Sequence, residues 1–166
     1  MRVSSPREFS LCREERPEKR MQLSSRFTIG VHILAVIDCL GNSEKVTSAL
    51  LAESIGVNPV IVRNVMGKLK EAGFISVCQG KTGVSLARPL EEVSLYDVYK
   101  AVDCVDEKGL FHFHPNPNPR CPVGKNIRRV MDEKLIRIQE SMENEMRRVT
   151  VAEIVRGVQN EIDAIG

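Results

Sequence analysis

A mainly α-helical chain with one small β wing is what three observations in the 166-residue sequence predict. Two short amphipathic segments meet at Gly56, a strand-turn-strand pattern tipped with Gly80 and Gly83 follows at once, and a heptad-like apolar stripe runs along one long helix near the C-terminus. The chain divides accordingly into a polar extension (1–20), a winged helix-turn-helix unit (21–102), a proline-rich loop (103–124), and a dimerisation helix with a last helix behind it (125–166).

The extension holds six basic and four acidic residues without an apolar period, so it is expected to be disordered, and Met21 reads as a second, structural beginning. Phe27, Val31, Leu34 and Ala35, continuing to Leu40, predict a helix that begins near Ser25 and stops at Gly41-Asn42. It should pack behind the next two. In the first of those, Leu50, Leu51, Ile55 and Val57 surround the small Ala52, and Gly56 turns the chain where a side chain would clash. Asn58 then stands at a helix N-cap with Pro59 at the first helical position, where its missing N–H costs nothing. Val62, Val65, Met66 and Leu69 fall at i, i+3, i+4 and i+7, the buried stripe of a half-buried helix. The opposite face carries Asn58, Ile61, Arg63, Asn64, Lys68 and Lys70, side chains suited to base edges and phosphates.

Phe74 to Cys78 and Val84 to Ala87 read as two strands, with Gln79-Gly80-Lys81-Thr82-Gly83 as the turn between them. A recognition helix followed directly by a basic hairpin is uncommon by chance. Ser94 caps the next helix, whose apolar face is Leu95, Val98, Tyr99 and Val102. From Phe111 to Pro119 three prolines alternate with His and Asn, which excludes regular helix because proline removes donors and biases its predecessor to extended forms. The longest helix runs from about Pro122 to Val149. Its stripe, Ile127, Met131, Leu135, Ile138, Met142, Met146 and Val149, is spaced 4, 4, 3, 4, 4 and 3. Such a helix in so small a chain wants a partner, and a homodimer is expected, since helix-turn-helix proteins commonly read two half-sites about 34 Å apart through a two-fold axis. Thr150 caps a last helix from Val151 to Val158.

The net charge is only +2, but it is unevenly spread. From Val57 to Arg88, five basic residues (Arg63, Lys68, Lys70, Lys81, Arg88) stand against one acid (Glu71), a net of +4. From Thr28 to Gly56, three acids (Asp38, Glu44, Glu53) stand against Lys45, a net of −2. Positive charge is concentrated where a DNA groove would be met. The longest apolar run, Ile29 to Ile37, is broken by Gly30 and His32 and is far short of the roughly 20 residues that span a bilayer. With no secretory signal in view, a cytoplasmic location is expected.

Five cysteines (Cys12, Cys39, Cys78, Cys104, Cys121), widely spaced and without a C-x-x-C pair, do not make a disulfide framework or a structural zinc site. Few aromatics and no Trp argue against a stacking platform for single-stranded nucleic acid, which leaves duplex DNA as the better target. No Ser/His/Asp order, phosphate-binding glycine loop or metal-spaced His pair stands out, so an enzyme is not expected.

From Gln22 to about Val158 the chain resembles the Rrf-two family of bacterial winged-helix transcriptional regulators. The resemblance rests on Leu23-Ser24-Ser25-Arg26-Phe27, Leu51-Ala52-Glu53-Ser54-Ile55-Gly56-Val57, Leu69-Lys70-Glu71-Ala72-Gly73-Phe74-Ile75, and Leu86-Ala87-Arg88-Pro89 with Val93-Ser94-Leu95-Tyr96-Asp97-Val98. It implies a dimer on palindromic promoter DNA, with the recognition helix in the major groove and the wing in the adjoining minor groove. The implied DNA-binding set is Arg26, Asn58, Val60, Arg63, Asn64, Lys68, Gln79 and Lys81. Where the family often has an Arg-Gly pair at the wing, this chain has Gln79-Gly80, and Lys81 is the substitute.

Members that sense through an iron-sulfur cluster carry three closely spaced cysteines in the loop before the long helix. Here Cys121 stands where the last would fall, Pro and Asn stand where the others belong, and Cys104 is 17 residues away. The resemblance is therefore to the cluster-lacking branch, and no cofactor is expected. His112 and His114 could complete a metal site with Cys121, although two histidines in a proline-rich loop are more often surface or packing residues.

Cys121 is also the candidate redox sensor. It precedes Pro122 at the expected N-cap of the long helix, where unpaired N–H groups and the helix dipole favour a thiolate, with Arg120 and Lys125 nearby. Its oxidation could shift the dimer helix against the DNA-binding unit; a small buried residue is the alternative. The expected function is thus a sequence-specific dimeric transcription regulator, a repressor by occlusion since nothing resembles an activation domain. The alternative is an interaction module that regulates a metabolic enzyme, with weak or conditional DNA binding. A protein or small-molecule effector is left open by the sequence.

Overall fold

In the computed structural model, which describes residues 25–41, 45–78, 83–102, 110–111 and 116–165, a bundle of short helices carries a two-stranded wing and a much longer helix. The order is α1 (Ser25–Leu40), α2 (Ser48–Ile55), α3 (Pro59–Glu71), β1 (Ile75–Cys78), β2 (Gly83–Leu86), a 3-10 turn (Leu90–Glu92), α4 (Leu95–Ala101), α5 (Pro122–Arg148) and α6 (Val151–Ile165). The extension, Gln79, Lys81, Cys104, His112 and His114 lie outside the described residues.

Local chemistry sets the helix ends. The Thr47 hydroxyl accepts from the Leu50 N–H at the start of α2, and Gly56 closes that helix at φ 72°, a left-handed conformation that costs a side-chain-bearing residue energy. The Val57 N–H then donates to the Ala52 carbonyl and the Gly56 N–H to that of Glu53. α3 ends by the same reciprocal pattern, Phe74 N–H to the Leu69 carbonyl and Gly73 N–H to that of Lys70. Ser94 and Asp97 form a capping box at α4, each side chain accepting from the other's backbone N–H.

α1 is the centre of the core. Ile33, Leu34, Ala35, Val36 and Ile37 are buried in succession, because α2, α3, α4, α6 and the wing all pack on this one helix. From the other elements come Leu51, Val62, Val65, Leu69, Val98 and Val151, each at most 2% exposed. All four residues of the expected α3 stripe are buried.

The wing is an antiparallel pair in the register Ile75↔Leu86, Ser76↔Ser85, Val77↔Val84 and Cys78↔Gly83. The strands are shifted from the sequence expectation. Phe74 is taken up in closing α3, and Gly83 belongs to β2 rather than to the turn. Gly83 is there because the chain passes close to α2's approach: a Cβ on it would stand 2.5 Å from the Val46 carbonyl oxygen.

α6 is longer than expected, continuing past Val158 to Ile165. Gly157 costs a helix about 1 kcal/mol relative to Ala but does not end it, and the apolar spacing resumes at Ile162. α5 has no buried residue along its 27 residues. No helix among the described residues is long and apolar enough to cross a membrane.

Candidate nucleic-acid interface

The face of α3 turned away from the core is continuous and polar. Asn58, Arg63, Asn64, Lys68 and Lys70 are all exposed, with Val60 and Ile61 beside them at 52% and 42%. An apolar pair among donors matches the major groove, where the thymine methyl is the apolar mark and purine N7 and O6 are the acceptors.

Asn58 has a structural duty that the sequence pattern reveals only in part. Its Oδ1 accepts from the Val60 N–H at 2.8 Å and holds the N-terminus of α3. Bidentate reading of adenine uses both ends of a carboxamide, and in Asn58 the Oδ1 end is already engaged in the cap. Asn64, exposed one turn and a half further on, has no such duty in the helix cap.

Beside this face lies a cleft of about 280 Å³ lined by Arg26, Asn64, Val65, Lys68 and Val102. It brings together the first turn of α1, the middle of α3 and the end of α4. Arg26 lines it from the first turn of α1, so two cations and a carboxamide border one opening. Lys68 also meets Glu71 at 3.6 Å, but both side chains are about half or more exposed, at 46% and 72%, and such a pair contributes at most about 1 kcal/mol. Val102, which forms part of the lining, carries no sequence signal beyond its place on the apolar face of α4.

The family model Rrf2, described as an iron-dependent transcriptional regulator, matches residues 23–157. The chain belongs to the Rrf2 family.

Among Rrf2-like relatives, it is 40% identical over 124 residues to YwnA of Bacillus subtilis, a protein named as an HTH-type transcriptional regulator, covering 75% of this chain and 90% of that one. The crystal structure of a protein described as DNA-binding is similar, at 32% identity and a TM-score of 0.59 over 78% of this chain and 97% of that one. CymR of Staphylococcus aureus, at 17% identity and a TM-score of 0.59, shares the fold over 80% of this chain and 96% of its own. This Rrf2 chain is a transcriptional regulator, and its winged-helix fold is that of its structural neighbours.

The family's description names iron. Among the described residues no three His, Cys, Asp or Glu side chains group so as to hold a metal ion. Ahead of Cys121 come Asn116, Pro117, Asn118, Pro119 and Arg120, none of which supplies a thiolate, and Cys104 is the nearest preceding cysteine in the sequence. A cluster bound through three closely spaced cysteines does not fit this chain. Cys121 does occupy the N-cap of α5, half-buried, with no hydrogen bond from its side chain to the helix. Cys39, the other described free thiol, is pushed up in pKa by burial and further by the Asp38 carboxylate, which keeps it protonated and unreactive near neutrality.

Proposed function

We propose that this Rrf2 protein is a dimeric, sequence-specific regulator that occupies palindromic promoter DNA through α3 and represses by occlusion. The observation that supports this best is the exposed face of α3 with the basic cleft at its side. Arg63 and Asn64 take base edges, Val60 and Ile61 meet thymine methyl groups, and Arg26 and Lys68 take backbone phosphates on either side of the cleft. The wing residues Gln79 and Lys81 enter the minor groove by family resemblance.

Dimerisation is supported by α5. A 27-residue helix without one fully buried residue leaves apolar side chains uncovered by its own subunit: Val123, Val130, Met131 and Ile138 are 39% to 66% exposed. Three of those lie in the first half of the helix, away from α4, and a second copy would cover them.

Sedimentation velocity tests both parts. The chain should sediment at twice its 18.6 kDa and move with a labelled mixed-sequence duplex at low salt, whereas Ile138→Asp should return the free protein to monomer. A monomeric wild type, or a duplex that sediments without it, would contradict the proposal.

A further inference from the structure

A single row of side chains on α5 leads from the segment before that helix to the winged domain. Gln139, Glu143 and Arg147 are four residues apart and therefore stand one above another on one side of the helix. The Leu110 N–H donates to Gln139 Oε1 at 3.0 Å, the Gln139 amide donates to Glu143 Oε1 at 2.9 Å, and Arg147 donates to Glu143 Oε2 at 3.3 Å. The Arg147 guanidinium lies 3.7 Å over the ring of Tyr96 in α4. The middle of the row is half-buried: the Glu143 side chain is 18% exposed, while that of Glu145 on the same helix is 69% exposed, and Arg147 at the end of the row is 42% exposed.

The contacts continue inward. The Tyr96 ring is 6.2 Å from that of Tyr99, and Tyr99 meets Phe27 edge-on at 6.3 Å. Phe27 adjoins Arg26, which lines the cleft with Asn64 and Lys68. At the end of the row, backbone hydrogen bonds fix a pivot: Leu95 N–H to the Val149 carbonyl at 2.9 Å and Val151 N–H to the Val93 carbonyl at 2.8 Å. The pivot holds one end of α5. What it leaves to the side chains is the direction in which the helix departs.

We infer that Arg147, seated on Tyr96, and Glu143, which holds Arg147 there, are positioning residues that set the angle between α5 and the winged domain, and with it the distance between the two recognition helices of the dimer. The inference rests on the reading of the chain as a DNA-binding dimer. A helix of this length extends roughly 40 Å, so a tilt of about 5° moves its far end by about 3.5 Å, close to the rise of one base pair. The clamp therefore governs which half-site spacing the dimer accepts.

The test uses the full chain and the duplex that the wild type selects from a random-sequence pool, remade with one or two base pairs inserted at its dyad. For the wild type, one inserted pair should weaken binding at least about 10-fold, because it displaces and rotates one half-site against the other. In Arg147→Met and Tyr96→Leu the penalty should fall below about 3-fold, with affinity for the uninterrupted site and the salt dependence held within about 3-fold. Arg147→Lys, which keeps a cation over the ring, should retain most of the penalty. Gln139→Glu sets two carboxylates four residues apart on a helix without buried residues, so it folds and should loosen the spacing in the same direction. Variants that keep the wild-type penalty overturn the inference alone. A wild type that enriches no sequence, or only a lone half-site, defeats the dimeric DNA reading and this inference with it.

Discussion

Reversing two charges on α3, Arg63→Glu with Lys68→Glu, is expected to weaken binding to duplex DNA by more than about 100-fold at physiological salt. A side chain that meets a base edge is worth about 1–3 kcal/mol, and a carboxylate facing phosphates adds repulsion where there was attraction. Both side chains are exposed, so the fold should hold: substitutions at such sites usually stay within about 0.5 kcal/mol. The exposed Lys68–Glu71 pair gives up little when it is broken. Fluorescence anisotropy over a range of salt concentrations separates this from misfolding. The wild type should show a steep linear fall of log affinity with log salt, and the variant a slope shallower by about 1 for each phosphate that no longer has a cation beside it. Binding within about 3-fold of wild type would remove α3 from the interface.

Leu69→Ala should have the largest effect on stability. Leu69 is fully buried on the core side of α3, and its carbonyl also accepts the Phe74 N–H that closes the helix. Truncation removes buried methyl groups and leaves a cavity, which costs about 2–5 kcal/mol. For a chain of this size that lowers the melting temperature by roughly 5–20 °C. Lys70→Ala, one residue on but turned to solvent, should change stability by no more than about 0.5 kcal/mol. Thermal unfolding followed by circular dichroism compares the two; equal losses would mean that α3 does not face the core as described.

Where local chemistry decides, the sequence was legible. The stripe at Val62, Val65, Met66 and Leu69 is buried, Asn58 caps α3, and Gly56 takes the left-handed conformation at the turn. These features depend on residues within about five positions of one another. Features built across the chain were not legible. Gly83 joins β2 because the Val46 backbone passes close by, and Val46 is 37 positions away in the sequence. Arg147 covers Tyr96 across an interval of 51 residues, and no periodicity announces the pairing.

The end of α6 was misplaced for a different reason. Neither Gly157 nor the polar run after Val158 removes a backbone donor, so the helix expected to end at Val158 continues to Ile165. At the interface, spacing alone identified the outward face of α3, while Arg26 came from the family resemblance. The structure adds the cleft that Arg26 shares with Asn64 and Lys68, and the capping duty that limits what Asn58 can read.

That the outward face of α3 reads DNA sequence is tested most directly by selecting duplexes from a random pool with the wild type and with Asn64→Ala. The wild type should enrich a palindrome whose half-sites lie about one helical turn, or a multiple of it, apart. Asn64→Ala should give the same motif with its preference lost at one position in each half-site. A wild-type pool without an enriched motif, or an Asn64→Ala motif identical to the wild type's at every position, would contradict it.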